Sequence, residues 1–174
     1  MAKKGEVSLF ETQKAKKPTP EALCEQLLSD PALNEGMLRL LALFQELKMK
    51  PSWYASNAYN CNYKGKRVVS FGIGRGSRWE QNWLAIKVWT ADIDDLNDFL
   101  QAQSEEVRAE YMQNIKYCGK CGSCAPGRDM DLLGKPYKDV CVNTDYNVYS
   151  PTAEQFQFIE KFILARREYI DKTR

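Results

Sequence analysis

Val68-Val69-Ser70-Phe71-Gly72-Ile73, a break at Gly74-Arg75-Gly76-Ser77-Arg78, and then Trp83-Leu84-Ala85-Ile86-Lys87-Val88-Trp89 form the stretch that decides the fold. β-branched and aromatic residues run between glycine-containing breaks, which predicts strands joined by hairpins. Upstream, Trp53, Ala55, Asn57, Tyr59, Cys61 and Tyr63 alternate with smaller or polar residues until Gly65 ends the run. Together the three runs predict an antiparallel three-stranded meander. Successive side chains of a strand point to opposite faces. Leu84, Ile86 and Val88 therefore share one face, and Trp83, Ala85, Lys87 and Trp89 share the other. One face must pack on helices. The second is aromatic and needs cover from the C-terminal helix, a ligand or a partner.

Helical signals flank this sheet. Thr19-Pro20 reads as an N-cap followed by a proline at the first helical position, and Asp30-Pro31 repeats the signal. Leu33, Met37, Leu40, Leu41, Phe44 and Leu47 then recur at helical spacing, with Pro51 as the stop. After the strands, Asp92, Asp94 and Asp95 supply the acidic first turn of an amphipathic helix carrying Ile93, Leu96, Phe99 and Leu100. Ser104-Glu105-Glu106 caps another helix, and Ser150-Pro151 opens a last one with Phe156, Ile159, Phe162, Ile163 and Ile170 inward. The predicted class is α+β: N-terminal helices, the meander, helices, a cysteine-rich knuckle and hairpin, and a C-terminal helix. Residues 1–17, with lysines at 3, 4, 14, 16 and 17, are predicted to be a disordered basic tail. Residues 18–174 make one domain containing a cysteine-rich subdomain at 117–142. A chain of 174 residues can bury a core without disulfides.

The composition excludes several chemistries. There is no histidine, so Ser-His-Asp and Cys-His catalysis and histidine-ligated zinc are out. The net charge of +2 is close to balance and argues against a nucleic-acid partner. No run of about 18 apolar residues exists, so no membrane partner is expected. The opening residues lack the apolar stretch of a secretory signal, which predicts a reducing cytoplasm. Clustered cysteines there serve metals or redox chemistry more often than disulfides.

Cys118, Cys121 and Cys124 stand three apart, and Cys141 follows. Thiolates at this spacing turn onto one ion, which predicts a structural zinc site made of all four. Two alternatives use the same sulfurs: an iron–sulfur cluster, or a Cys118/Cys121 dithiol. Cys24 and Cys61 fall in helix and strand patterns and read as buried small hydrophobes. The 117–142 segment partially resembles a zinc ribbon, whose second CxxC pair is here reduced to Cys141, leaving Cys124 to fill the gap. More broadly, Cys118, Cys121, Pro126-Gly127-Arg128, Gly134-Lys135 and Val140-Cys141 resemble small uncharacterised bacterial α+β proteins in which such a segment follows a sheet. That resemblance brings no assigned activity.

Ligand-binding candidates are the aromatic residues Trp53, Tyr59, Tyr63, Trp83 and Trp89, with Arg75 and Arg78 at a hairpin tip placed to grip an anion. Gly72 to Gly76 lacks the Gly-Lys-Ser/Thr ending of a phosphate loop and lies between two strands, so it reads as a hairpin. The expected function is a non-enzymatic binding or sensing protein. A zinc-held segment would be fixed against a sheet whose aromatic face takes a small molecule or protein. A redox protein is the alternative. Nucleic-acid binding is a second alternative, through the tail lysines and Lys116, Lys120, Arg128, Lys135 and Lys138, diluted by Asp129, Asp131 and Asp139.

Overall fold

The computed structural model of the protein describes residues 14–74, 80–90, 96–120, 122, 125–142 and 144–173. Helix α1 (Pro20–Leu27) begins where the Thr19 hydroxyl accepts from the Ala22 N–H. Helix α2 (Pro31–Glu46) begins where the Asp30 carboxylate accepts from Ala32 and Leu33. Both caps follow the sequence signal. Pro51, expected to stop α2, instead opens strand β1 (Pro51–Ala55); the helix ends at Glu46, and Lys48 turns the chain with φ 57°. A proline fits there because β1 is an edge strand, where a missing N–H costs little.

Strands β2 (Ala58–Tyr63), β3 (Lys66–Ile73) and β4 (Leu84–Val88) follow. Next come α3 (Leu96–Gln101), α4 (Glu105–Gln113, capped by Ser104), and a separate two-stranded hairpin, β5 (Arg128–Leu132) with β6 (Lys135–Val140). Strand β7 (Tyr146–Tyr149) and helix α5 (Ala153–Lys172) complete the chain. Helix α5 starts at a capping box in which Thr152 and Gln155 satisfy each other's backbone N–H groups. Asp92, Asp94 and Asp95 lie outside the described residues.

The class is α+β, as read from the sequence. The main sheet is larger than the expected meander, with order β1-β2-β3-β4-β7 and every neighbour antiparallel. Two features account for the difference. The run from Trp53 to Tyr63 is two strands, because Ser56-Asn57 makes a tight turn with Asn57 at φ 53° and Ala55 paired to Ala58. Strand β7 arrives from beyond the cysteine segment, a four-residue run between Asp145 and Ser150-Pro151 that pairs with β4.

The register sorts the side chains into two faces. Trp53, Tyr59, Phe71, Ile86 and Val148 stand in one row, and Cys61, Val69, Val88 and Tyr146 in the next. All but Trp53 are buried, together with Ile73 and Leu84 on the same face. Helices α1 and α5 pack on this side, and α2 packs on both of them. Cys24 and Cys61 are indeed buried small groups, and burial pushes both thiols up to about 12.

The α2–α5 crossing depends on Gly36. A methyl group built there would lie 2.2 Å from the Phe156 ring. Gly36→Ala gains about 1 kcal/mol of helix propensity but forces an overpacked contact that costs about 1–3 kcal/mol. Thermal unfolding should show a net loss of stability for Gly36→Ala. The Gly36→Ala loss should shrink when measured in a Phe156→Leu background, where the ring no longer fills the space.

Candidate functional site

The opposite face of the sheet carries no helix among the described residues. Its central row is Ala58, Gly72 and Ala85, ending on Tyr149; the adjacent row is Ser52, Asn60, Ser70, Lys87 and Asn147. Small residues thus form a floor and polar residues a strip beside it. Aromatic side chains stand around them. Tyr54 and Tyr149 are 54% and 69% exposed, far more than tyrosines that serve as packing. The Trp83 ring lies 3.4 Å from where a Gly72 methyl group would sit, so the indole rests beside this position of the floor. Trp83 and Tyr149 have ring centroids 6.2 Å apart at 55°, two walls of a groove of about 340 Å³.

Fixed polar groups border this groove. The Trp89 Nε1–H donates to Ser70 Oγ (3.3 Å), and Ser70 donates to Asn60 Oδ1 (2.8 Å). The Lys87 ammonium sits 4.0 Å from the Trp89 ring centroid and 2.7 Å from Oδ2 of the wholly buried Asp145. Arg67 stacks on the same indole at 5.1 Å. Asp145 also accepts from the Thr90 N–H, so it cannot follow Lys87 outward. The ion pair therefore anchors the lysine at the groove's edge.

The predicted aromatic face divides between the two sides of the sheet, which corrects the single patch expected from sequence. Trp83 and Trp89 lie on the open face. Trp53 and Tyr59 lie on the helix side, because their register matches Phe71 and Ile86. Tyr59 is buried, its hydroxyl donates to the Pro18 carbonyl, and burial raises its pKa. Tyr63 faces the end of α5, donating to Asp171 (3.3 Å) beneath the Arg167 guanidinium. Arg75 and Arg78 lie outside the described residues. Tyr54, Ser70, Gly72, Asn147 and Tyr149 complete the groove and were not singled out from sequence. Alternation within β4 identified Ala85 and Lys87, but the neighbours from β3 and β7 follow only from the pairing.

The cysteine segment is an excursion closed by a neck. The Cys118 N–H donates to Asp139 O (2.6 Å), the Cys141 N–H donates to Lys116 O (2.7 Å), and Tyr117 bridges Val140. In this antiparallel arrangement Cys118 and Cys141 are diagonal neighbours on one side of the ladder, a relation that spans roughly 7–8 Å. Both carry free thiols. Thr144 braces the neck by hydrogen bonds to both Lys116 backbone groups. The hairpin beyond it is tied to α3 by Asn97, which donates to Asp131 O and accepts from the Leu133 N–H. Lys120 and Gly122 have φ 50° and 71°, both in the left-handed region. A concavity of about 330 Å³ is lined by Cys118, Lys120, Gly122, Gly127 and Asp139. Cys121 and Cys124 lie outside the described residues. Among the described residues no three metal-binding side chains converge. On the hairpin, Lys138 pairs with Asp129 at 2.6 Å and holds that carboxyl below its usual range, which neutralises part of the basic patch.

Comparison with known proteins finds no matching family, curated protein or solved structure. No helix among the described residues is long and apolar enough to cross a membrane.

Two glycines separate neck geometry from loop composition. A methyl group at Gly127 would meet Cys118 Cβ at 2.7 Å and the Asp139 backbone at 2.9 Å, whereas one at Gly119 meets nothing within 4 Å. In thermal unfolding, Gly127→Ala should cost about 1–3 kcal/mol. Gly119→Ala should stay within about 0.5 kcal/mol of the parent.

Proposed function

We propose that this protein is a non-enzymatic binding or sensing protein whose open sheet face holds a small planar ligand. The observation that carries the reading is the groove of small residues walled by Trp83 and Tyr149. A floor of Ala58, Gly72 and Ala85 lets a ring lie flat against the strands. The aromatic walls supply stacking surface, and Lys87, Ser70 and Asn147 supply donors and acceptors along one side. A volume of about 340 Å³ is at the small end of ligand sites and suits a molecule of one or two rings.

A structural zinc ion held by Cys118, Cys121, Cys124 and Cys141 belongs to the same reading. Support comes from the neck, which brings the first and last of these cysteines to one side of a closed ladder. Four thiolates suit zinc, and the ion would tie the β5–β6 excursion to the sheet domain. The reading places the protein in a reducing compartment such as the cytoplasm, where thiolates stay available to a metal.

Fluorescence titration with a panel of planar heterocycles tests the groove. A compound that binds the parent should lose about tenfold or more in affinity to Trp83→Ala, since one stacked ring contributes about 1–3 kcal/mol. Gly72→Leu, which fills the floor, should abolish binding. Parent-like affinity in both variants would remove the site. Elemental analysis of protein purified without added metal should find about one zinc per chain. A metal-free protein with an intact hairpin would overturn the zinc assignment, and a brown, iron-containing one would replace it with the cluster.

A further inference from the structure

A second, larger concavity of about 830 Å³ lies on the helix side of the sheet, at its β1 edge. One wall is the segment entering α1, held across the edge by the hydrogen bond from Tyr59 to the Pro18 carbonyl. The opposite wall is the chain leaving α2, through Lys48, Met49 and Lys50. The floor is apolar: Leu41, Met49 and the Trp53 ring. Trp53 ends its row on an edge strand and stays only partly covered.

The rim of this groove is cationic, and its charge indicates what the groove would hold. Lys17, Lys48 and Lys50 are exposed around the groove against a single lining carboxylate, Glu21, and the Lys17 ammonium lies 5.9 Å from the Trp53 ring centroid. An apolar floor and a lysine rim together fit one chemistry.

We propose that this groove binds a small amphiphilic carboxylate. Its flat apolar body would lie on Trp53 and Met49. The lysines at the rim would pair with its carboxylate. This site is separate from the open-face groove, on the opposite side of the sheet.

The test is a titration of the full-length chain with 2-naphthylacetate, followed through the indole N–H signals in nitrogen-15 NMR spectra. The chain has four tryptophans, and Trp53→Phe assigns the signal of interest. The Trp53 signal should move to saturation while those of Trp83 and Trp89 stay in place. The neutral analogue 2-naphthylethanol should bind about tenfold more weakly, as should naphthylacetate with Lys48→Gln/Lys50→Gln, because each change removes one side of the ammonium–carboxylate pairing. The double variant must otherwise keep the parent's indole spectrum, a check that its fold is intact. A Trp53 signal that does not move overturns the proposal. So does equal affinity for acid and alcohol, or undiminished binding to the double variant. Movement confined to Trp83 and Trp89 would place the naphthyl group on the open face, overturning the carboxylate groove and leaving the earlier reading intact.

Discussion

The packing of one sheet face against α1 and α5 is the constraint on which the rest of the molecule depends. Tyr59, Phe71, Ile86 and Val148, with Cys61, Val69, Val88 and Tyr146, place two continuous apolar rows against the helices. Each large apolar side chain so buried contributes about 1.5–3 kcal/mol. Because side chains alternate with period two, a slip of one residue would exchange this face for Asn60, Ser70, Lys87 and Asn147. That cost fixes the register. The register in turn sets out the small, polar and aromatic residues on the far side. The open groove is thus a consequence of core packing, its contents chosen at positions the core does not use.

The second dependent feature is the cysteine excursion. Strand β7 must return to β4 to complete the sheet, and its partner residues Asn147 and Tyr149 finish the groove. The segment between α4 and β7 therefore departs from the sheet and returns to it at one place, where Lys116 to Cys118 pairs with Asp139 to Cys141. Gly127 has no room for a side chain because it closes over that pairing. A metal held at the neck, as proposed, would act on the entry of β7 and so on the groove's far wall. The buried Asp145 sits just before β7 and grips Lys87 on β4, a second tie between the same strands.

Much of this was legible in the sequence, for identifiable reasons. Thr19-Pro20 and Asp30-Pro31 announced α1 and α2 because capping is local chemistry. The alternation in Leu84 to Trp89 correctly split that strand into a core side and an open side. The aromatic residues were harder. Period two assigns faces within a strand, but it does not say which face of one strand joins which face of the next. Trp53 and Tyr59 could be separated from Trp83 and Trp89 only once Asn57 was seen to turn the chain and pair Tyr59 with Phe71. Strand β7 was invisible for a related reason: Tyr146 to Tyr149 is a strand because β4 offers it an edge.

The claim that one side of the sheet is a working surface is tested most directly by hydroxyl-radical footprinting of the free protein, read residue by residue by mass spectrometry. Trp83, Trp89, Tyr54 and Tyr149 should be modified readily, while Tyr59, Tyr146 and the equally buried Tyr111 of α4 stay protected in the core. Protection of the first group to the level of the second, in protein with no ligand added, would mean that the face is already covered and would contradict the account.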